Sequence, residues 1–186
     1  MIKDKIKELE SLTSYLNDEE KKIIIRAINF SEKAHKDQTR QSGDPYIIHP
    51  IEVAKILTSI NLDASAIAAG LLHDTIEDTI ISTNEITEIF GSQISELVQG
   101  LTKISKFALK MNKQKLGENY RKLILASSKD LRVILIKLAD RLHNMRTIKF
   151  IKDEDKRIDI SMETLEVFSP LAQRLGMKEW QDELED

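Results

Sequence analysis

The feature that most constrains this chain is an apolar run that ends in a cluster of charged residues. Residues 66–72 read Ala-Ile-Ala-Ala-Gly-Leu-Leu and are apolar all round a helix, which is typical of a helix packed inside a protein. On a helix of about 3.6 residues per turn, the following His73, Asp74, Glu77 and Asp78 would crowd one edge. Their carboxylates would repel one another without a cation. We therefore expect a buried helix whose end lies beside a cation.

Helical periodicity extends along almost the whole chain, and no strand pattern competes with it. Apolar side chains recur at helical spacing, and Asn17, Asp63, Ser82 and Asp130 are suited to cap helices. The predicted helices cover residues 2–17, 18–35, 51–60, 63–78, 82–90, 92–104, 118–127, 131–146, 154–168 and 169–175. No alternating pattern with hairpin turns and no internal repeat is present in the sequence. We therefore predict an all-α helical bundle.

Length, charge and cysteine content narrow the class of protein. The 186 residues suit a single domain over residues 1–186, with a first helix over 1–16. The net charge of −3 gives no basic excess, so neither nucleic acid nor a membrane surface is expected as a partner. The sequence has no cysteine, and no apolar run approaches the roughly 18 residues that cross a bilayer. We expect a soluble, cytoplasmic protein in which imidazole and carboxylate groups are the available metal ligands.

Two positions outside the central helix carry polar side chains that need an explanation. Asp140 lies in a helix whose neighbours are apolar, and a buried carboxylate is costly unless it is paired or bound to metal. His49 precedes Pro50, which we expect at the first position of a helix, so His49 should lie at a loop-to-helix junction with a free imidazole. With His73 and Asp74, these residues offer two nitrogens and two carboxylate oxygens. Such a set suits Mn²⁺, Fe²⁺ or Zn²⁺.

The acidic pair Glu77 and Asp78 follows these ligands by about one helical turn. A divalent cation stabilises charge on a phosphate and lowers the pKa of a bound water. Glu77 and Asp78 would then position or deprotonate that water. The polar, lysine-rich segment 105–117 is expected to be mobile, and closure of this segment over a ligand is a further hypothesis.

Each of these residues, taken alone, has a simpler structural explanation. An adjacent histidine and aspartate usually bind no metal, His49 can serve as a turn residue, and Asp140 can pair with Lys137. We interpret His35 as a structural surface residue and His143 as a structural residue behind the ligands. The conjunction of four ligand types, and no single member, favours the metal site.

Five longer stretches of the chain resemble a known family. They are residues 42–50, 71–79, 100–105, 132–147 and 169–177. The order of these stretches and the sequence around the candidate ligands are similar to the HD phosphohydrolase superfamily, and within it to the hydrolase domain of the RelA/SpoT homologues. The resemblance covers about residues 18–180. It implies the HD-domain helical bundle and a Mn²⁺-dependent enzyme that removes the 3′-pyrophosphate of the alarmones ppGpp and pppGpp in the stringent response, giving GDP or GTP.

The resemblance also implies roles for individual residues. The metal ligands would be His49, His73, Asp74 and Asp140, and the residues that activate water would be Glu77 and Asp78. The nucleotide contacts would be Arg40, Ser42 and Asn144, with Thr147 and Tyr46 as weaker candidates. Arg40 would stack its planar guanidinium on guanine. Gln41 and Gln173 depart from the family pattern, in which a basic residue and a histidine are common, and the loss of a charge at Gln41 bears on substrate affinity.

Two other functions remain open at this point. An HD enzyme of the same chemistry can act on another nucleotide, for example on the 2′-phosphate of NADPH. A domain that binds metal and nucleotide without turnover can instead act as a regulatory sensor. The sequence also leaves open whether the chain is a stand-alone hydrolase or a fragment of a bifunctional synthetase and hydrolase, and in which oligomeric state it works.

Overall fold

A computed structural model describes residues 2–108 and 129–186, and this part of the chain is almost entirely helical. The helices are α1 (Ile2–Leu12), α2 (Asp18–Ala34), α3 (Ile48–Thr58), α4 (Ala64–Leu72), α5 (Thr75–Asp78), α6 (Thr83–Phe90), α7 (Ser92–Ala108), α8 (Leu131–Arg146), α9 (Glu154–Glu163), α10 (Ser169–Arg174) and α11 (Lys178–Glu185). A 3₁₀ turn (Ile148–Phe150) and a π-helical turn (Thr164–Phe168) join the later helices. Within the described ranges, β structure is limited to an isolated bridge between Thr39 and Pro45. The predicted all-α class is confirmed.

Local side-chain bonds explain where several helices begin. The Asp63 carboxylate accepts from the Ala66 backbone N–H at 2.8 Å, and the Asp130 carboxylate accepts from the Arg132 N–H at 2.9 Å. Ser82 and Glu85 form a reciprocal capping box at the start of α6. These caps stand where the sequence predicts them, because capping depends on residues within one turn of each other.

Helix α4 lies at the centre of the bundle and packs against α2, α3, α7 and α8. All its residues except Ser65 are buried. A Cβ at Gly70 would lie 2.7 Å from Leu57 Cδ1 on α3, and one at Gly100 on α7 would lie 2.9 Å from Val133 Cγ2 on α8. The two glycines therefore permit close helix approach, which draws the start of α3, the end of α4 and the middle of α8 toward one point.

The predicted end of the first helix and the predicted start of the third helix are wrong. Helix α1 ends at Leu12 instead of near residue 17, where a turn replaces its last residues. Helix α3 begins at Ile48, so His49 lies inside the first helical turn and not at a junction before it. Pro50 is the third helical residue; it is tolerated there because the first N–H groups of a helix have no partner inside that helix.

The central helix also differs from its prediction. It ends at Leu72, and α5 begins three residues later as a separate single turn. Helix α7 continues to Ala108, so residues 105–108 of the segment predicted to be mobile are helical. The rest of that segment and the predicted helix over 118–127 lie outside the described residues. Among the described helices, each is too short or too polar to span a lipid bilayer.

Candidate functional site

The structure brings three of the four sequence-predicted ligands, His49, His73 and Asp140, together at the point where three helices meet, and it places Asp74 beside the two histidines. One ligand atom from each of His49, His73 and Asp140 lies within 4.8 Å of the others. His49 Nε2 is 3.2 Å from Asp140 Oδ1, and Asp74 Oδ2 is 3.0 Å from His73 Nε2 and 3.8 Å from His49 Nε2. We call these four residues the His-Asp cluster. Their side chains come from the start of α3, the end of α4 and the middle of α8.

The orientation of His73 shows what this cluster is suited to hold. Its Nδ1 lies 2.8 Å from the carbonyl oxygen of Gly70, and a carbonyl only accepts, so Nδ1 carries the proton. Its Nε2 is buried, and no described residue forms a hydrogen bond with it. Nε2 faces the Asp74 carboxylate at 3.0 Å, an arrangement that needs a positive charge, either a proton or a metal ion, between the two atoms. The residues present fit a divalent cation.

The charges around His73 agree with this interpretation. Burial lowers the pKa of His73, but Asp74 and Asp140 outweigh it and raise that pKa to about 9. Without a metal, a proton thus takes the place of a cation in the His-Asp cluster.

His143 orients the second imidazole of the cluster. Its Nδ1 lies 2.7 Å from His49 Nδ1, so the predicted free imidazole of His49 is wrong. Burial, together with the nearby His49 and Arg40, lowers the pKa of His143 to about 3. His143 is therefore neutral, and its Nδ1 can accept a hydrogen bond from His49. When His49 donates through Nδ1, its Nε2 is left free to face the cluster, which is the usual arrangement of a metal-binding histidine. His143 lies behind the ligands, as predicted.

Asp140 combines two explanations that the sequence treats as alternatives. Its Oδ2 accepts from Lys137 Nζ at 2.8 Å, while its Oδ1 accepts from Asn144 Nδ2 at 2.7 Å and faces the imidazoles. Burial would raise the pKa of Asp140, but Lys137 and the histidines outweigh it and hold that pKa well below the usual value. Lys137 therefore keeps Asp140 ionised and leaves one oxygen for the cluster.

The acidic pair is not gathered on one edge as predicted, because the helix is interrupted at His73 and Asp74. The Tyr46 hydroxyl lies 2.6 Å from Asp74 Oδ2 and 3.0 Å from Asp78 Oδ2. Glu77 instead lies near Ser105 and Lys137, and Lys137 donates to Ser105 at 3.2 Å. Desolvation raises the pKa of Glu77, against the opposing effect of Lys137. Glu77 and Asp78 thus approach the His-Asp cluster with different partners.

A cavity of about 450 Å³ adjoins the cluster through Asp140. All five predicted nucleotide contacts line it, namely Arg40, Ser42, Tyr46, Asn144 and Thr147. Arg40 donates to Asn144 Oδ1 at 2.9 Å and lies over the Tyr46 ring at 5.7 Å. Of the two departures from the family pattern, Gln41 lines the cavity, and Gln173 is exposed and not among the lining residues.

Several lining residues were missed by the sequence analysis. They are Thr39, Lys137, Arg141, Phe150, Ile151, Ile160 and Glu163. Phe150, Ile151 and Ile160 give the cavity an apolar wall, and Arg141 forms an ion pair with Glu163 at 2.7 Å. An aromatic residue beyond the end of a capped helix is the one signal that could have drawn attention to Phe150.

His35 is a further correction. Its side chain is only 3% exposed, so the prediction of a surface residue is wrong. His35 lies directly after α2, and its ring stacks on Tyr46 with centroids 4.5 Å apart. The burial comes from the loop over residues 39–46, which folds back across the end of α2.

Comparison with known proteins agrees with this architecture. The profile of the HD domain matches residues 27–178. The chain is 48% identical over 179 residues to a GTP pyrophosphokinase of Myxococcus xanthus and 46% identical over 175 residues to the bifunctional (p)ppGpp synthase/hydrolase SpoT of Escherichia coli K12. These alignments cover 95% and 94% of this chain but 24% and 25% of the relatives. The chain thus spans about a quarter of the length of the curated relatives it matches.

A solved structure gives the same assignment. It is described as a metazoan ortholog of SpoT that hydrolyzes ppGpp and has a role in starvation responses. It matches with a TM-score of 0.63 and 26% sequence identity over 88% of this chain and 85% of the other. The helical bundle and the resemblance predicted from sequence are therefore confirmed. The chain belongs to the HD-domain family, among the RelA/SpoT homologues.

Proposed function

We propose that this chain hydrolyses the 3′-pyrophosphate of ppGpp and pppGpp, giving pyrophosphate and GDP or GTP. The observation that carries the proposal is the buried Nε2 of His73, which has no hydrogen-bond partner among the described residues and faces a carboxylate beside a cavity of nucleotide size. The relatives carry names for both synthesis and hydrolysis, and the chain aligns with about a quarter of their length. A buried set of histidine and aspartate side chains suits metal-assisted hydrolysis, so we assign the hydrolase activity to this quarter.

The His-Asp cluster would hold Mn²⁺ through His49, His73, Asp74 and Asp140. Two imidazoles and two carboxylates suit a borderline-to-hard divalent ion, and the family resemblance favours manganese over iron or zinc. When bound, the ion supplies a Lewis acid that offsets charge developing on phosphorus and makes a nearby water more acidic. Lys137 holds the second oxygen of Asp140, which keeps that carboxylate oriented.

Glu77 and Asp78 would position the attacking water and take its proton. Desolvation raises the pKa of Glu77, which makes it a better base than an ordinary glutamate. The water oxygen bonds to the phosphorus next to the 3′ oxygen, the bond from that phosphorus to the 3′ oxygen breaks, and the 3′ oxygen gains a proton.

The cavity residues would bind the nucleoside end of the substrate. Arg40 presents a planar cation suited to stacking on a base, and Ser42, Asn144 and Thr147 present hydrogen-bonding groups along the same cavity. Phe150 and Ile151 add apolar wall on which a purine can lie. A cytoplasmic location and the absence of nucleic-acid and membrane partners stay predictions from the sequence.

The test is to incubate the purified chain with ppGpp and Mn²⁺ and to measure pyrophosphate. Release that disappears with EDTA and in Asp74→Ala supports the proposal. No release with Mn²⁺, Fe²⁺ or Zn²⁺ overturns it. Faster release of phosphate from NADPH would assign a different substrate to the same chemistry, and tight ppGpp binding without turnover would assign a sensor.

A further inference from the structure

We propose that His35 and Gln38 are positioning residues that hold Tyr46 and Asp78 in the hydrolytic site. The inference rests on the proposed function and extends it to two residues behind the cavity. Neither side chain reaches the His-Asp cluster itself. Both act through the residues that do.

The hydrogen bonds of this pair form a chain with one consistent direction. Gln38 Nε2 donates to the backbone carbonyl of Asp78 at 2.8 Å. The amide oxygen of Gln38 is then the atom that lies 2.7 Å from His35 Nδ1, so that nitrogen carries the proton. His35 Nε2 is left as an acceptor, buried and without a hydrogen-bond partner among the described residues. The imidazole is thus held in one tautomer by its bond to Gln38.

The same imidazole supports Tyr46. The two rings are stacked with an interplanar angle of 22°. The Tyr46 hydroxyl lies between Asp74 Oδ2 and Asp78 Oδ2. Burial and these two carboxylates raise the pKa of Tyr46, so the hydroxyl keeps its proton. The stacked ring of Tyr46 therefore holds a hydroxyl donor between Asp74 of the His-Asp cluster and Asp78 of the acidic pair.

Two routes from His35 meet at Asp78. One passes through Gln38 to the backbone of Asp78, and the other passes through the Tyr46 ring to its carboxylate. Gln38 also fixes Tyr46 from the other side, because its backbone carbonyl accepts from the Tyr46 N–H at 3.0 Å. Residues between 35 and 46 thus hold Asp78 through both its backbone and its carboxylate.

Asp78 depends on contacts from outside its own helix, because that helix is short. Helix α5 is a single turn of four residues, too short to be stable alone. Ile76 and Ile81, on either side of Asp78, pack against the core, whereas the side chain of Ile80 is fully exposed. The bond from Gln38 reaches the last residue of this turn.

The experiment is a double-mutant cycle on the full chain with ppGpp and Mn²⁺. Gln38→Met removes the side-chain hydrogen bonds to His35 and to the Asp78 carbonyl. The loss of the bond to Asp78, one neutral hydrogen bond, should lower kcat roughly 3- to 10-fold with KM unchanged. In the Asp78→Asn background the same change should cost less than about 2-fold, because the carboxylate that it positions is gone. Mn²⁺ affinity, measured by electron paramagnetic resonance titration, should be unchanged.

Gln181→Met is the matched control. Gln181 also donates through Nε2, to Glu185 at 2.8 Å, and it lies on α11 outside the cavity. It should leave kcat at the parental value. In His35→Phe the stacked ring remains and only the bond to Gln38 is lost, so kcat should fall less than in His35→Leu.

Each outcome is decisive. An equal loss of kcat from Gln38→Met in both backgrounds, or a loss of Mn²⁺ affinity along with kcat, overturns the inference and leaves the proposed function intact. Equal effects of His35→Phe and His35→Leu exclude the stacking route. A parent chain that binds Mn²⁺ but does not turn over ppGpp overturns the proposed function first, and the positioning role with it.

Discussion

The His-Asp cluster and the cavity beside it share Asp140, but they are built from different parts of the fold. The cluster lies where α3, α4 and α8 cross in the core, and three of its four side chains are buried. The cavity is walled by the loop over residues 39–46, by the polar side of α8 and by the turn after it. Its residues are mostly half-exposed or exposed.

Under the proposed function, this difference would separate the residues that carry the chemistry from those that select the substrate. Each member of the cluster also has a hydrogen-bond partner outside it. The partners are Gly70 for His73, His143 for His49, Lys137 for Asp140 and Tyr46 for Asp74. In the cavity, the Arg40 side chain donates to Asn144 and lies over the Tyr46 ring, and Gln41 is exposed. Changes in the cluster should therefore abolish catalysis, whereas changes in the cavity should mainly alter affinity.

The largest effect is expected from Asp140→Asn. The change removes a charged cluster atom and leaves Lys137 without its carboxylate partner, so Mn²⁺ affinity and stability should both fall. Hydrolysis should drop roughly a thousandfold, because a cation contributes several kcal/mol to the transition state. Steady-state kinetics and Mn²⁺ titration measure these losses. The control is Asp130→Asn at the N-terminus of α8. This change keeps a capping side chain and should preserve hydrolysis and Mn²⁺ affinity.

Glu77→Gln should lower kcat roughly 100-fold while Mn²⁺ affinity stays unchanged, because a general base contributes about 10²- to 10⁴-fold. Single-turnover kinetics with a parallel metal titration measure the two quantities. Glu85→Gln, an exposed glutamate in the capping box of α6, is the control. Loss of metal affinity in Glu77→Gln would place this carboxylate among the ligands instead.

Removal of the metal should lower the free energy of unfolding, and the effect should depend on an intact His-Asp cluster. A Mn²⁺ concentration about 100 times its Kd adds about 2.7 kcal/mol to the free energy of unfolding, so EDTA should shift the thermal midpoint downward. Differential scanning calorimetry with and without EDTA measures the shift. The shift should vanish in Asp140→Asn. An equal shift in that variant would mean that the ion binds elsewhere.

The smallest effect is expected in the cavity. Arg40→Lys keeps the charge but loses the planar guanidinium, so KM for ppGpp should rise several-fold to about 10-fold with little change in kcat. Arg26→Lys, on the exposed face of α2, should change neither constant. A large fall in kcat in Arg40→Lys would contradict the separation between the two regions.

Residue patterns within one or two turns were predicted well. The all-α class and the caps at Asp63, Ser82 and Asp130 follow from bonds between near neighbours. The same local reasoning failed where distant elements decide. His35 was placed at the surface because nothing nearby in the sequence shows that Tyr46 covers it.

The start of α3 and the break after Leu72 were also missed. Helical pattern alone does not show that the chain stops and restarts around His73 and Asp74, where the side chains meet groups from other helices.

The amino-acid sequence by itself determined the helical bundle, the types of metal ligand available and the family to which the chain belongs. Periodicity, capping and sequence motifs are local properties and can be read directly from it. Only the tertiary structure decided that His49, His73 and Asp140 meet, and which of their atoms remain free. Those free atoms are selected by partners on other segments, such as His143 and Lys137. Contacts between residues far apart in the chain arise only when the helices pack.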